Sequence, residues 1–578
     1  MQPQWKLGTK SLSSFLCLAA LLFLAACSGN GSSGQTGKPA KAPANQQVLV
    51  DPLVTTDIST FDPGQATDLD SIASIDMVFT GLVQENDQLQ VQNQLAQSYV
   101  ESPDGLTYTF HLKPNLKFSD GTPLTSADVA YSIDRALSPQ ISSLNGISLT
   151  YLGLIQGAAD RVNGKIPTII GTGIQTPGPS TVVIHVVKKT AYFLQALTYP
   201  TAYVVEKSVI SKWGLRWTDH LADHGGQGGD GPFKVQSYSH TTGIVFVPNP
   251  TYYGPHPQLQ KVEFTFVKND QTNYLQYQTG QADVTGVPSA DYAQASTLTN
   301  QFHKVPQLWI DYYGLNYLVK PFDNIHIRQA LDLAINKDAL VQAIFHGVDT
   351  PTNHIVPKGM PGYDPNLTGP DGVTSTKGDP TKARALFQEG LQEEHLTLAT
   401  FPTIKFTYSN ASSENADEVT TVIQMWRETL GITSIQPDPV ESLKLFSEIS
   451  GTTNNTSLQM WKIDWIADYP DPQDWITLQF APGESDNNMN YGQNHSTDAA
   501  QQQALQQQMI QADSISDETQ RMQAYNRIEQ QLVNDVAWLP IDQVNAAYLI
   551  KPYVIGFVNN SQDLTPPDDW GSIYIAKH

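Results

Sequence analysis

One stretch of the sequence combines side chains that could bind a charged ligand. It reads Trp461-Lys462-Ile463-Asp464-Trp465-Ile466-Ala467-Asp468-Tyr469-Pro470-Asp471-Pro472. A carboxylate beside apolar walls is a natural partner for an ammonium group, because desolvation strengthens an ion pair when both charges are satisfied. An aromatic neighbour adds cation–π attraction. The alternative interpretation is that the tryptophans pack in the core and the acids cap the next turn, and the sequence leaves both open.

The same acids could instead perform general acid–base chemistry. A glycosidase needs only two facing carboxylates, and Asp468 with Asp471 would be such a pair. Carboxylate pairs of this kind are usually solvated or salt-bridged. The chain contains neither a Gly-x-Ser-x-Gly elbow nor a His-Glu-x-x-His helix, and its 13 histidines are scattered. We therefore expect a protein that is not an enzyme.

A glycine-rich segment at residues 225–231 formally matches the G-x-G-x-x-G dinucleotide pattern. A phosphate-binding loop of this type needs a strand before the glycines and a helix N-terminus after them. Here the residues that follow, 232–235, have the pattern of a strand. We predict a structural turn rather than a nucleotide site.

Composition narrows the functional class. The formal net charge of -23 argues against nucleic-acid binding, which needs clustered Lys and Arg. With 40% hydrophobic and 15% charged residues, most of the chain should fold. At 578 residues it exceeds what one core usually organises, so we expect two or more lobes with a cleft between them.

The N-terminus has the features of a lipoprotein signal. Lys6 and Lys10 precede an apolar run at residues 15–24, about half the ~20 residues that a bilayer-spanning helix requires. The sequence Leu-Ala-Ala-Cys that ends at Cys27 resembles the lipobox of bacterial lipoproteins, in which cleavage precedes a cysteine that carries diacylglycerol. The alternative is an ordinary signal peptide with an incidental cysteine.

The two cysteines restrict the chemistry of the rest of the chain. Because Cys17 and Cys27 are the only ones, the part after residue 27 forms no internal disulfide and has no Cys nucleophile or Cys metal ligand. Residues 28–44 are rich in Gly, Ser, Lys and Pro, as a flexible tether is. We expect folded structure to begin near Gln46.

Hydrophobic periodicity indicates interleaved strands and helices. Residues 106–112 alternate as a half-buried strand does, and Thr125 with Asp128 forms a capping-box pattern before a helix. Further strands are predicted near residues 183–187, 245–247, 262–266 and 282–284. Further helices are predicted at 272–279, after an Asp323 cap, after an Asn336 cap, and at 381–388, 415–430, 498–513 and 519–536. The pattern predicts a mixed α/β protein with more than one lobe.

Ordered motifs over nearly the whole chain resemble one family, the family 5 solute-binding proteins of ABC importers. This group includes oligopeptide-, dipeptide- and nickel-binding proteins. The matching motifs are Phe61-Asp62-Pro63, Phe79-Thr80-Gly81-Leu82, Leu95-Ala96-Gln97-Ser98, the block from Asp104 to Val129, Gly231-Pro232-Phe233, Asn249-Pro250-Thr251-Tyr252-Tyr253 and the block from Pro321 to Leu331.

The resemblance implies a two-lobed, hinged, periplasmic-binding-protein-like α/β fold with an extra domain, woven from a discontinuous chain into three structural domains. Ligand would lie between the first and third domains, and hinge closure would select the loaded form. The implied limits are 1–26 signal peptide, 27–45 tether, 46–82, 206–315 and 549–578 domain I, 83–205 the extra domain II, and 316–548 domain III, the opposing lobe.

The resemblance also implies the ligand-binding residues. In peptide-binding members, the acid of a Trp-x-Ala-Asp block pairs with the ligand's α-ammonium, and the adjacent backbone pairs with the extended peptide as an added strand. This block maps onto Trp465, Ile466, Ala467 and Asp468. Lys462 lies where a basic residue in some relatives contacts a ligand carboxylate. No metal or other cofactor is implied.

The resemblance further implies partners and location. We expect a monomer anchored outside the cell membrane through lipid on Cys27, which delivers peptides to permease subunits and their cytoplasmic ATPases. The alternatives are a receptor of the same fold for a nickel chelate, sugar or opine, a purely signalling receptor, and a surface hydrolase.

Overall fold

The structure, a computed structural model, describes residues 39–145, 147–484 and 486–578. The predicted signal peptide, Cys27 and most of the predicted tether lie outside these residues. The compact unit that extends to His578 begins at Lys41, a few residues before the expected start at Gln46. Lys41 forms a β-bridge with Ala576, and the amide of Ala42 donates to the carbonyl of Ile575 at 2.9 Å.

The strands carry mostly alternating or fully buried side chains, as expected for sheets that pack against cores. They are β1 (Val48–Val50), β2 (Val83–Glu85), β3 (Val91–Asn93), β4 (Ala96–Glu101), β5 (Thr107–Leu112), β6 (Ile174–Gly178), β7 (Thr181–His185), β8 (Phe233–Ser239), β9 (Gly243–Pro248), β10 (Lys261–Thr265), β11 (Val284–Gly286), β12 (Phe302–Leu315), β13 (Thr350–Pro351), β14 (Ile404–Ser409), β15 (Ile435–Val440), β16 (Met460–Ile466), β17 (Leu539–Ile550), β18 (Val554–Ile555) and β19 (Tyr574–Ile575).

The α-helices alternate with these strands along the chain. They are α1 (Leu69–Asp76), α2 (Ser126–Ala136), α3 (Pro139–Asn145), α4 (Ser148–Leu152), α5 (Ala158–Val162), α6 (Phe193–Ala196), α7 (Lys207–Trp213), α8 (Asp270–Gln278), α9 (Tyr292–Ala295), α10 (Ile325–Leu333), α11 (Lys337–Ile344), α12 (Pro380–Glu393), α13 (Ser413–Leu430), α14 (Ser442–Ser450), α15 (Thr477–Phe480), α16 (Ala499–Ala512) and α17 (Glu518–Asp535). The predicted mixed α/β class is confirmed.

Helix starts follow the capping chemistry in the sequence. The amide of Thr125 donates to Asp128 at 2.8 Å, which confirms the capping box before α2. Asn336 accepts from Ala339 before α11, also as predicted. The predicted Asp323 cap is wrong by one residue: Asn324 caps α10, and Asp323 instead pairs with Lys320.

Two four-stranded sheets lie in the N-terminal half of the chain. One has the order β1-β10-β9-β8, and its core combines buried side chains from residues 42–79, 203–284 and 548–575. The other has the order β4-β5-β7-β6, and its core comes from residues 82–204 together with Tyr469. The first core thus draws on all three segments predicted for domain I, although the domain limits themselves stay a prediction.

The largest sheet has the order β11-β17-β12-β16-β14-β15, with β13 added beside β17. Its long strands β12 and β17 pair antiparallel and connect separate cores. Tyr548 and Ile550 at the end of β17 belong to the first core, whereas Leu539 and Ile541 at its start belong to a core beneath α10–α13. Two continuous strands therefore join the parts of the molecule that flank the cleft described below.

The glycine segment at 225–231 forms no nucleotide loop. It ends in β8, a strand, as the sequence predicted. The amides of Asp230 and Gly231 both donate to the carbonyl of Val78, so the glycines allow close backbone approach. Within the described ranges, none of the helices has the length and apolar character needed to cross a membrane.

Candidate functional site

Asp468 lies just after the end of β16 and lines a cavity of about 80 Å³. The other walls of this cavity come from α1, from β2, from residues 198–203 and from residues 560–567. Ile466 and Ala467 line it as well. The structure therefore brings three of the predicted ligand-binding residues together at one cavity.

The carboxylate of Asp468 faces aromatic side chains. Tyr151 is near enough to interact with it electrostatically. Tyr151 stacks on Tyr199 with ring centroids 3.6 Å apart. Burial raises the pKa of Asp468 to about 7, against the opposing effect of Tyr151 and with a further increase from Asp486. No described lysine, arginine or histidine forms an ion pair with Asp468.

Trp465 positions this acid rather than facing the cavity. Its indole nitrogen donates to Oδ2 of Asp474 at 3.1 Å, and the backbone amide of Asp468 donates to the same oxygen at 3.1 Å. Asp474 is fully buried, and burial raises its pKa well above the ordinary value. Asp474 thus fixes the turn that presents Asp468.

The end of β16 has an open backbone edge. On one side, β16 pairs with β12 from Met460 to Ile466. On the other side, β14 pairs only with Met460 and Trp461. No described strand pairs with residues 462–466 on that side. Because Ile466 also lines the cavity, an extended ligand could add to β16 there as a further strand.

Lys462 does not reach this site. Its ammonium lies 3.0 Å from Asp311 and 3.1 Å from Glu418 in a buried cluster. It lines neither the cavity beside Asp468 nor the neighbouring cavities. A role in binding a ligand carboxylate stays a prediction, and in this arrangement two protein carboxylates already satisfy Lys462.

For some residues of the stretch 461–472, the alternative interpretation is correct: the tryptophan packs in a core, or the acid caps a turn. Trp461 is completely buried in a core. Asp471 caps the short helix at Pro472–Asp474 and pairs with Arg521 at 2.6 Å. Since Arg521 binds the carboxylate of Asp471, Asp471 does not face Asp468 as the second acid of a hydrolytic pair.

Two further cavities adjoin the first. One of about 120 Å³ shares Leu69 and Ile466 with it. The other, of about 870 Å³, shares Leu69 with both and Trp309 with the 120 Å³ cavity. We call these three cavities together the cleft. Its large part lies between residues of the first sheet's core and Trp309, Phe345 and residues 544–548.

The family described as bacterial extracellular solute-binding proteins, family 5 Middle, matches residues 90–487, which is more than half of the chain. The chain belongs to this family.

Relatives of this family 5 protein support the assignment. Oligopeptide-binding protein OppA of Bacillus subtilis is 26% identical over 484 residues, which is 83% of this chain and 84% of OppA. The Escherichia coli murein tripeptide binding protein MppA matches with a TM-score of 0.71 and 23% identity, covering 92% of this chain and 99% of MppA.

A third similar protein is Haemophilus influenzae OppA in complex with RPPGFSPFR. It has a TM-score of 0.70 and 21% identity and covers 92% of this chain and 99% of that chain. These likenesses establish the fold as the two-lobed α/β type of periplasmic binding proteins. The predicted fold class and family resemblance are confirmed.

Several residues of this family 5 protein's cleft were not predicted from sequence. Tyr151 and Tyr199 lie far from Asp468 in sequence, and only the fold brings them beside it. The acids of the large cavity, including Asp51 and Asp349, carry no local motif.

Among the described residues, one group of three has metal-ligand geometry: His326, Glu389 and Glu393. It lies on α10 and α12, outside the cleft, and His326 already pairs with Glu393 at 2.9 Å. This group is therefore separate from the cleft.

Proposed function

We propose that this protein binds peptides in the cleft lined by Asp468 and delivers them to the permease of an ABC importer. The observation that carries the proposal is the partly buried carboxylate of Asp468, which has no described cationic partner and lines a cavity at the open end of β16. A buried carboxylate without a partner cation is unfavourable, so a ligand ammonium would satisfy it.

The proposed binding mode follows from the position of the Asp468 carboxylate beside the open end of β16. The α-ammonium of the peptide pairs with Asp468, and the peptide backbone extends along Ile466 towards the larger cavities. Main-chain pairing provides affinity without reading side chains, which suits a receptor for many peptides. The relatives named as oligopeptide-binding proteins support the same ligand class.

Location and delivery rest on the sequence and on the family. The signal-like N-terminus and Cys27 support secretion followed by lipid anchoring on the outer face of the membrane. The family is described as extracellular solute-binding proteins. Closure of the cleft around a peptide would present the loaded form to permease subunits with their cytoplasmic ATPases.

A two-way comparison of ligand and protein tests the ammonium contact. Calorimetry would measure the affinity of a peptide with a free N-terminus and of the same peptide with an acetylated N-terminus, for the native protein and for Asp468→Asn. Hydrogen bonds to charged groups contribute about 1.5–3 kcal/mol, so either change alone should weaken binding by about 10- to 100-fold. The two changes together should cost little more than one, because they remove the same contact.

Asp417→Asn provides the control. Asp417 is exposed on α13 and lines no part of the cleft, so this variant loses one negative charge without touching the site. It should bind both peptides as the native protein does. Unchanged binding of the free peptide by Asp468→Asn would contradict the proposed contact, and absence of all peptide binding would favour the non-peptide alternatives.

A further inference from the structure

The charges that line the cleft all have one sign. Its three cavities are lined by nine carboxylates, from Asp51, Asp70, Asp76, Glu85, Asp270, Asp349, Glu414, Asp468 and Asp563. Among the residues that the structure describes, no lysine, arginine or histidine lines any of them. At the chain's ratio of 33 Lys and Arg to 56 Asp and Glu, nine acids would be accompanied by about five bases. The general excess of acids in the chain therefore does not explain why the described lining of the cleft contains acids without bases.

These nine carboxylates also differ from those buried acids that have a cationic partner. In the cores, Asp471 pairs with Arg521, Asp332 with Lys337, and Asp62 with Arg135. Among the described residues, none of the nine cleft acids takes part in an ion pair. Lys304 has a lowering effect on the pKa of Asp349, but burial outweighs it. The cleft lining therefore has none of the counter-charges that these three buried acids have, although other buried acids, such as Asp230 and Asp542, also lack an ion pair among the described residues.

The surroundings of two of these acids favour a cation. Asp51 and Asp349 are partly buried and line the 870 Å³ cavity. Burial raises the pKa of each to about 7, helped by Asp563 for Asp51 and by Asp311 and Glu414 for Asp349. The same cavity has aromatic walls from Trp309, Tyr548 and Trp570, whose ring faces attract cations.

A second observation that favours a cationic ligand is an uncharged hydrogen-bond acceptor, the side-chain amide oxygen of Asn273. Asn273 lines the large cavity, is only 3% exposed, and its amide oxygen has no hydrogen-bond partner among the described residues. A buried carbonyl oxygen without a donor is costly. Lysine and arginine side chains offer several donors and no acceptor.

We propose that the cleft selects peptides with positive charge beyond the α-ammonium, with a lysine or arginine side chain held in the 870 Å³ cavity near Asp51 and Asp349. This rests on the proposed peptide-binding function. It also accounts for the position of Lys462: the cleft contains no cation for a ligand carboxylate, so acidic side chains are rejected.

The test compares three peptides of equal length on the full chain. The first is RPPGFSPFR, the second has citrulline in place of both arginines, and the third has glutamate in place of both. Calorimetry should give an affinity about tenfold lower for the citrulline peptide and a further loss of at least that size for the glutamate peptide, because each lost cation removes an attraction to nearby carboxylates. Equal affinity of the first two peptides, or tighter binding of the third, would overturn the proposal.

Substitutions in the protein test where the cationic side chain of the peptide binds. Asp51→Asn with Asp349→Asn should reduce the difference between the arginine and citrulline peptides, while the citrulline peptide keeps its affinity. Asp417→Asn, with its charge outside the cleft, should leave the difference unchanged. An unchanged difference in the double variant would contradict this location for the cation.

The outcomes separate this inference from the proposed function. If all three peptides bind equally, the protein is a peptide receptor and the selection for cations is wrong. If none of the three binds and Asp468→Asn changes nothing, both proposals are wrong.

Discussion

The buried carboxylate of Asp474 supports the backbone of Asp468: one oxygen of Asp474 lies 3.1 Å from the backbone nitrogen of Asp468. The same oxygen accepts the indole N–H of Trp465 at 3.1 Å. The Trp-x-Ala-Asp block therefore works as a unit in which a second acid, six residues further along the chain, holds the first in place.

Substitutions of Asp474 should distinguish the effect of its hydrogen-bond acceptor from the effect of its charge. Burial raises the pKa of Asp474 well above the ordinary value, with Asp468 as a further cause, which favours the neutral carboxyl group. Asp474→Asn keeps an acceptor oxygen and should preserve peptide affinity and melting temperature. Asp474→Ala leaves two buried donors unpaired, at about 1–3 kcal/mol each, and should lower both. Equal effects of the two variants in calorimetry and thermal unfolding would contradict this role.

Asp468 and Asp471 should have opposite phenotypes although they are close in sequence. Asp471 pairs with Arg521, and both side chains are buried. Asp471→Asn should therefore cost about 3–5 kcal/mol of unfolding free energy, since breaking a buried pair leaves an uncompensated charge. The folded fraction should still bind peptide. Asp468→Asn should retain stability and lose affinity. Chemical denaturation and calorimetry on both variants check this, and a loss of affinity without loss of stability in Asp471→Asn would contradict it.

The stability of the ligand-free protein should fall as the pH rises from about 5 to 8.5. Burial raises the pKa of Asp230 to about 8 and those of Asp51 and Asp468 to about 7, all from an ordinary value of 3.8. The folded state then holds protons that the unfolded state has released, so the stabilising contribution is complete below the unfolded pKa and is lost as the pH rises through the folded one.

Melting temperatures measured at pH 5, 7 and 8.5 test this prediction. Asp62 has the opposite sign: desolvation is outweighed by Arg135 and Trp217, which lower its pKa, so its contribution is lost only as the pH falls below the ordinary range. We therefore expect the highest melting temperature near pH 5. A melting temperature that rises steadily up to pH 8.5 would contradict the prediction.

Gly314 should be essential for packing between β12 and the side chain of Trp461 on β16. It pairs with Trp461 across β12 and β16, and a Cβ atom at Gly314 would lie 2.2 Å from Cε2 of the indole ring. Gly314→Ala should therefore lower the unfolding free energy by about 1–3 kcal/mol or more through overpacking. Gly178→Ala, on β6, meets nothing within 4 Å and is the control. Equal stability of the two variants in urea would contradict the packing role of Trp461.

Local patterns in the sequence predicted local structure well. The capping box of Thr125 and Asp128, the alternation in β5 and the strand after the glycine segment depend on neighbouring residues, and the structure confirms them. The Asp323 cap failed because two adjacent residues, Asp323 and Asn324, can both cap a helix, and the sequence does not say which one the backbone presents.

The site was only partly predictable for a physical reason. Asp468 stands out because a family motif surrounds it. The acids of the large cavity, such as Asp51 and Asp349, come from distant segments, and only tertiary packing brings them to one surface. Lys462 is the opposite case, a residue that the sequence suggests for the site but that the structure places outside the cleft. Its type and position suggest a ligand contact, but its cross-strand neighbours include Asp311, whose charge it neutralises.

Native mass spectrometry of the purified full chain tests the central claim most directly. Spectra recorded before and after mild unfolding would reveal any molecule that co-purifies in the cleft. We predict release of a heterogeneous set of short peptides from the native protein and from Asp417→Asn, and much less from Asp468→Asn. Release of a single non-peptide compound, or an undiminished peptide load in Asp468→Asn, would contradict binding of a peptide through Asp468.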